Sequence, residues 1–317
     1  MKKLAILASS LLLALSLLSC GKKIDSSVWL SNLEDGKKAA QAENKRIFLF
    51  FSGDDFDEKS ASLKSNLFNT EEFISTYTEK YVLVNLDYSN SRYDGEQEGL
   101  TEDMKIFERY NAKGLPYFLV LSSEGYLISQ LAFDSSADLD TARITFTEAE
   151  EKITRFEETL AKTKTGSTEE RLAAINEIFD NAEPAVAALL SDLNKLYLSL
   201  DKNNASGESS KHLIALTYAT AQEFFMEEQP EKASNEFVKL AKNKILTDSE
   251  KQMSYYTAGY LLIQSGSNDY KTVQEYLKLA YDANPESEEA QNIQMAINYV
   301  QTLLDGEGDD LPENAQN

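Results

Sequence analysis

Cysteine and histidine are almost missing from this sequence. Its 317 residues include one cysteine, Cys20, and one histidine, His212. A single cysteine cannot form an internal disulfide bond, and a lone histidine without neighbouring cysteines offers no ligand set for zinc or iron. The sequence also lacks the Gly-x-Ser-x-Gly motif of many hydrolases and the glycine-rich loops that hold phosphates. It therefore predicts no metal and no other cofactor.

Positive charge is scarce as well. The chain has 31 Lys and Arg against 53 Asp and Glu, which gives a formal net charge of −22. A protein this acidic repels nucleic acids and anionic membrane surfaces. We therefore expect no nucleic-acid partner.

The first twenty residues have the pattern of an export signal. Two lysines precede an apolar run at 4–18, which is shorter than the about 20 residues of a membrane-spanning helix. The following Leu-Ser-Cys-Gly resembles the bacterial lipobox, in which the signal is cut before a cysteine that is then lipidated. We expect a lipoprotein signal peptide at 1–19 and a tether at 20–27 that starts with lipidated Cys20. The alternative is an ordinary signal peptide with a chance cysteine.

Residues 28–145 alternate between helical and strand patterns. Runs without polar alternation, such as 47–51, are typical of strands covered on both faces. Apolar residues spaced three and four apart predict helices over 29–43, 58–68 and 100–111, and a short helix that Thr70 caps. Right-handed crossovers make the first strands parallel, and the last two strands form an antiparallel hairpin at one edge. This segment is predicted to be an α/β domain with a central mixed sheet flanked by helices.

Three stretches of this domain resemble the secreted thioredoxin-like family: "VWLSNLEDGKKAAQAENKRIFLFFSGDDF", "LFNTEEFISTYTEKYVLVNLDY" and "FERYNAKGLPYFLVLSSEGYLI". The resemblance implies a thioredoxin-like fold. It also places the two redox cysteines of active relatives at Asp57 and Ser60. A carboxylate and a hydroxyl cannot carry out thiol–disulfide exchange, so we expect no redox catalysis at these degenerate positions.

The same resemblance gives Pro116 the place of a cis-proline whose backbone pairs with extended substrates. One interpretation is a peptide-binding groove formed by Phe56, Leu115 and Pro116, retained after catalysis was lost. The other is that the loop needs Pro116 in order to fold. Whether the Leu115–Pro116 bond is cis depends on the resemblance, because most X–Pro bonds are trans.

Three aspartates lie beside the degenerate positions. Asp54, Asp55 and Asp57 follow the first strand, where a helix is predicted to begin. Carboxylates at a helix start are typically caps and partners of the helix dipole. The alternative is an acid and a base of a hydrolase.

From residue 137 onward strand patterns disappear. A helix is predicted over 145–162, and 146–304 is predicted to be an all-α domain. The stretch "YYTAGYLLIQSGSNDYKTVQEYLKLAYDANPES" resembles a tetratricopeptide repeat, with matching positions at Gly259, Gly266, Tyr270, Leu277, Ala280 and Pro285. About three repeats are needed for a stable stack, so the other helices must complete it. A bundle without repeats is the alternative. The acidic tail, 305–317, is predicted to be disordered.

These features predict a non-enzymatic, lipid-anchored protein of the cell envelope, on the periplasmic or outer-surface side. Its expected partners are proteins or peptides of the envelope, which it binds as an adaptor or chaperone-like scaffold. The alternative is a non-catalytic accessory component of a thiol–disulfide exchange or protein-maturation pathway. The helical half is expected to carry most of the binding, with aromatic anchors drawn from Tyr255, Tyr256, Tyr260 and Tyr276. Helix periodicity requires some of these tyrosines to be in the core.

Overall fold

The computed structural model of the chain describes residues 28–92 and 97–306. Within these ranges four strands form one sheet: β1 (Arg46–Ser52), β2 (Tyr81–Asp87), β3 (Tyr117–Leu121) and β4 (Leu127–Leu131). Their order is β2-β1-β3-β4, with β1 parallel to β2 and antiparallel to β3, and with β3 antiparallel to β4. This confirms the predicted mixed sheet with a hairpin at one edge.

Helices flank the sheet, and three of them begin at a polar cap. The helices are α1 (Leu33–Glu43), α2 (Glu58–Leu63), α3 (Glu71–Tyr77) and α4 (Gln97–Arg109). The side chains of Asn32, Asp57 and Thr70 accept hydrogen bonds from backbone N–H groups in the first turns of α1, α2 and α3. A segment predicted as one helix continues past α2 as a π-helical turn at Lys64–Phe68.

The prediction of a helix beginning at Trp29 is wrong. Helix α1 begins four residues later, and the Trp29 ring lies 6.0 Å from Phe48 and 6.2 Å from Phe68, centroid to centroid. Its Nε1 donates a hydrogen bond of 3.4 Å to the Phe68 carbonyl oxygen. Trp29 is therefore apolar because it packs in the core, and not because it belongs to a helical stripe.

Both faces of the sheet are buried. Phe48 and Phe50 of β1 point into an aromatic cluster beneath α2, α3 and the π turn. Ile47, Leu49 and Phe51 point into a second cluster beneath α1 and α4. All five side chains are fully buried, which explains why β1 has no polar alternation.

The second half is helical, as predicted. Its elements are α5 (Leu139–Thr165), α6 (Thr168–Asn181), a 3₁₀ segment (Pro184–Leu190), α7 (Ser191–Leu200), α8 (Ser209–Met226), α9 (Pro230–Ala241), α10 (Asp248–Gln264), α11 (Tyr270–Ala283) and α12 (Ala290–Leu304). From α5 to α12 each helix packs on the next one in the chain. Within the described ranges, no helix combines the length and the apolar character needed to cross a membrane.

Two positions of the repeat-like stretch can be compared with the structure. A Cβ atom at Gly259 would lie 3.5 Å from the backbone oxygen of Val273 and 3.7 Å from the Leu277 side chain, which are ordinary van der Waals contacts, so the packing of α10 on α11 does not require glycine there. Helix α11 ends at Ala283, and Pro285 follows two residues later, as expected for a proline that ends the second helix.

Helix α5 belongs to both halves of the protein. It begins six residues earlier than predicted and runs through the boundary placed at 145/146. Phe146 and Ile153 pack in the aromatic cluster of the sheet, whereas Leu160 packs with α6 and α7. One rigid helix thus contributes side chains to two hydrophobic cores.

An ion-pair cluster fastens α5 to the sheet. The Arg46 guanidinium donates hydrogen bonds of 2.6 and 2.7 Å to Glu157 and of 3.1 Å to Glu150. The side chain of Arg46 is 15% exposed, and its pKa is raised above the ordinary value, chiefly by the hydrogen bond to Glu157. Two-point pairing of this kind fixes orientation as well as distance.

We predict that Arg46→Met destabilises the protein by about 1–3 kcal/mol, because it leaves two half-buried carboxylates without their partner. Urea unfolding measures the change. The matched control is Arg143→Met, which removes a pair with Asp140 whose side chains are 56% and 80% exposed. The control should cost less than about 0.5 kcal/mol. Equal losses in the two variants would contradict the role given to Arg46.

Candidate functional site

The candidate site is the corner that joins β1 to α2. Gly53 turns the chain after the strand, and Asp57 caps the helix. Asp57 Oδ2 accepts a 2.8 Å hydrogen bond from the backbone N–H of Ser60. Local sequence explains this geometry, because an acidic residue three positions before a helical N–H is a favoured N-cap.

The two degenerate redox positions contact each other directly. The Ser60 hydroxyl donates a hydrogen bond to Asp57 Oδ2 and accepts one of 3.2 Å from the Gly53 N–H. Ser60 is fully buried. A hydrogen-bonded carboxylate and hydroxyl therefore connect the helix to the turn, at the place where active relatives are expected to carry a disulfide.

The other two aspartates also have structural partners. Asp54 forms an ion pair with Lys64, the first residue of the π turn. Asp55 accepts hydrogen bonds of 3.0 and 2.9 Å from the backbone N–H groups of Asn90 and Ser91. The bond from Ser91 is the main cause that lowers the pKa of Asp55 below its ordinary value. This arrangement favours the interpretation as caps and loop anchors over an acid and base pair.

The proline loop lies against the same corner. The Leu115–Pro116 peptide bond is cis. A Cβ atom at Gly53 would lie 3.0 Å from Leu115 and 2.6 Å from Phe56, so the turn has no room for a side chain. Phe56 is 56% exposed beside this loop. The structure thus brings Phe56 and Leu115 together around Gly53, and Pro116 follows Leu115 in the chain.

The four tyrosines named as helical anchors do not share one surface. Tyr260 is 47% exposed on α10. Tyr255, Tyr256 and Tyr276 are half-buried and pack against the hydrophobic clusters between α8 and α12. Tyr260 is thus the member of this set that presents a large exposed area to solvent.

Other exposed apolar residues of the helical half were missed by sequence reasoning. These are Ile144 on α5, Tyr218 and Phe225 on α8, Met253 and Ile263 on α10, and Met295 and Tyr299 on α12, each 41–61% exposed. For α8, α12 and, with Tyr260 included, α10, the available signal was a spacing of three, four or seven positions along the helix. Without contacts, the same spacing also fits a core stripe.

His212 is part of a buried polar network. Its Nδ1 lies 2.8 Å from Asn194 Oδ1 and its Nε2 lies 2.7 Å from Asn176 Oδ1, and its ring stacks on Tyr197 at 3.8 Å. A neutral imidazole donates only one N–H, so one amide must offer its nitrogen instead. Asn194 meets this need when its amide is turned, because its Nδ2 is otherwise buried without a partner. The histidine ties together α6, α7 and α8.

Some predicted features lie outside the described residues. These are the signal peptide, Cys20 with its tether, and the tail beyond residue 306. Within 28–92 and 97–306 there is no group of three or more His, Cys, Asp and Glu residues arranged to hold a metal ion.

Comparison with known proteins identifies the fold of the first domain. Residues 33–133 match a family described as a thioredoxin-like domain. This match, the sheet order and the cis-proline loop together establish that residues 33–133 form a thioredoxin-like domain. A helix-rich region follows it in the chain. Residues 209–306 match a second family, described as an uncharacterised protein C-terminal domain.

Two individual proteins are similar to this chain. A protein of Treponema pallidum (strain Nichols), named "Uncharacterized protein", is 23% identical over 269 residues, which cover 84% of this chain and 87% of the relative. A solved structure named "DsbH Oxidoreductase" is 17% identical with a TM-score of 0.35, and the match covers 38% of this chain and 83% of that one.

The contact between Asp57 and Ser60 leads to a prediction. In a Cys20→Ser background, Asp57→Cys with Ser60→Cys should oxidise to a disulfide, because the two side chains already point at each other across one helical turn. Thiol titration and mass spectrometry report the bond. The control pair, Asp57→Cys with Ala61→Cys, moves one thiol to the next helical position and should stay reduced under the same oxidant. Oxidation of both pairs, or of neither, would contradict the geometry described for this corner.

A second prediction concerns pH. Burial lowers the pKa of His212 from its ordinary value of 6.5 to about 4, and the nearby Lys211 adds to this shift. Between these values the unfolded chain binds a proton that the folded protein does not, so stability falls as the pH decreases from 6.5 toward 4. The loss attributable to His212 should approach about 1.4 kcal/mol per pH unit within that window.

Urea unfolding at several pH values, compared with His212→Gln, isolates this contribution from the titration of the many carboxylates. The variant should lose less stability than the wild type over the same interval. Parallel curves for the two proteins would show that His212 is not held neutral by its surroundings.

Proposed function

We propose that this protein is a non-catalytic, protein-binding adaptor of the cell envelope, held there by a lipid on Cys20. Its thioredoxin-like domain does not catalyse thiol exchange, because Asp57 and Ser60 supply no thiolate to attack and no second thiol to resolve. The basic start, the short apolar run and the Leu-Ser-Cys-Gly ending support the lipid anchor.

The observation that carries the proposal is the position of the exposed apolar side chains in the helical half. Seven of the eight large ones lie on α8, α10 or α12, and we name these the alternate-helix surface: Tyr218, Phe225, Met253, Tyr260, Ile263, Met295 and Tyr299. The eighth, Ile144, lies near the start of α5. Helices α9 and α11 expose no large apolar side chain, although both are fully described.

The helices that carry these residues alternate with helices that do not. Helix α9 packs against both α8 and α10, and α11 packs against both α10 and α12. Burying such residues inside the protein would be favourable, so their concentration on these three helices supports a binding role.

The residue types support a protein partner. Tyrosine, phenylalanine and methionine are enriched at the centres of protein interfaces, where they bury large areas with little loss of side-chain entropy. Methionine also adapts its shape to irregular surfaces. The net charge of −22 disfavours acidic partners through long-range repulsion.

The test is crosslinking and capture of partners from the protein's own envelope. Met253→Glu with Tyr260→Glu places two charges on α10, at positions 48% and 47% exposed, and should reduce capture of the wild-type partner at least about tenfold. The control, Asn235→Glu with Lys239→Gln, makes the same change in net charge on exposed positions of α9 and should capture normally. Equal capture by the two variants would refute binding through the alternate-helix surface.

The lipid anchor has its own measurement. Cells given a fatty-acid probe should label the wild-type protein and leave Cys20→Ala unlabelled. Labelling of both proteins would show that the lipid is attached at another residue, and that the interpretation of residues 1–20 as a lipoprotein signal is wrong.

The cis-proline loop favours a second candidate function. Phe56 is exposed beside Pro116, so an extended peptide has an aromatic contact and a main-chain partner there. In this alternative the protein presents substrates to a separate thiol oxidoreductase. Phe56→Glu should then abolish capture of the partner that the α10 variant retains.

A further inference from the structure

A cavity of about 340 Å³ lies between the two halves of the protein, along the outer edge of β4. Four consecutive residues of that strand, 127–130, line it. Successive side chains of a strand point to opposite faces of the sheet. A cavity lined by every residue of such a stretch must therefore run along the edge of the strand, where the main chain is reached. We name this cavity the edge slot.

The main chain of β4 is available on this side. The strand ends the sheet order and pairs only with β3, so alternate N–H and C=O groups point away from the sheet. The pairing register also passes from Leu127 to Ser129 and skips Ile128, as in a β-bulge. By contrast, the opposite edge of the sheet, at β2, is partly covered by the bridge from Leu30 to Val84.

Helices of the second half form the walls of the edge slot. Phe156 of α5, Ile178 of α6 and Leu190 of the 3₁₀ segment contribute apolar surface. Helix α5 runs antiparallel to β4, since Leu160 packs with Tyr126 near the start of the strand and Lys164 pairs with Glu124 just before it. The slot is thus bounded by a strand edge on one side and by helices of the second half on the other.

The charges around the slot cancel. Lys152 and Arg155 lie on α5, and Glu177 and Glu183 lie on or just after α6. Arg155 Nε is 3.6 Å from Glu177 Oε1, which already neutralises one pair. On a chain with a net charge of −22, this locally neutral and partly apolar slot suits an uncharged ligand.

We propose that the edge slot binds an extended peptide segment, uncharged and apolar at its centre, by main-chain pairing with β4. The four lining residues span about 13 Å, which matches a strand of about four residues. Recognition through the main chain tolerates different sequences, and the apolar walls select apolar side chains. The site is separate from the alternate-helix surface and does not depend on it.

The test uses the full mature chain and a blocked pentapeptide with three central valines between a threonine and a lysine that carries a fluorophore. Fluorescence anisotropy should give a dissociation constant of about 0.1–1 mM or tighter. Amide chemical-shift changes should centre on residues 127–130. The same peptide methylated on all three valine nitrogens cannot pair through its main chain and should bind at least about tenfold more weakly.

Two variants locate the site. Asn181→Trp places a large ring at the exposed rim of the slot and should weaken peptide binding at least about tenfold, whereas Asn292→Trp on α12 should leave it unchanged. Phe56→Glu and the α10 variant should also leave it unchanged. No binding up to about 2 mM, equal binding of the methylated peptide, or amide shift changes centred on Leu115 and Tyr117, which flank Pro116, would each overturn the proposal.

Discussion

The Arg46 ion-pair cluster joins a strand in the middle of the sheet to the helix that begins the second half. The Arg46 side chain is 15% exposed, and those of Glu150 and Glu157 are about 40% exposed. The partly buried guanidinium and the two carboxylates therefore compensate each other's charge. The two acidic residues are seven positions apart, which places them on one face of α5, two turns from each other. This face also carries Phe146 and Ile153 into the core of the sheet. The position of every later helix follows from how α5 is fixed.

The edge slot is a consequence of that arrangement. Because α5 runs past β4 and returns through α6, the helices stand beside the strand edge without pairing with it. The thioredoxin-like domain thus has two distinct places where an extended segment could lie: the cis-proline loop and the β4 edge. At the corner between β1 and α2, the hydrogen bonds of Ser60 with Asp57 and Gly53 connect the helix to the turn. No thiol takes part in this connection.

Most of the fold could be predicted from the sequence, since its signals are local. The buried strand at 47–51, the cap at Thr70 and the end of α11 before Pro285 each depend on residues within a few positions. The cis bond at Pro116 could be anticipated only through the family resemblance, because nothing in the adjacent sequence requires it.

The remaining features arise from contacts between distant residues. Trp29 resembled a helical residue, although its position is set by Phe48 and Phe68. Helix α5 was predicted too short, because its start is set by the Asp138 cap and by the packing of Leu139 and Ala142 against the core of the sheet. The tyrosines of the helical half share similar spacings, and only the packing of α9 and α11 separates exposed from buried ones. Periodicity indicates that a helix has two faces, but the partner helices decide which one is covered.

Helix α5 makes the two halves one cooperative scaffold, because it contributes side chains to both cores. Trp29 is the single tryptophan and lies in the core of the thioredoxin-like domain, so its fluorescence reports that half alone. Far-ultraviolet circular dichroism is dominated by the helices of the second half. Urea unfolding followed by both signals should give coincident transitions. A helical signal that persists after the Trp29 transition is complete would show that the halves unfold independently and would contradict the account.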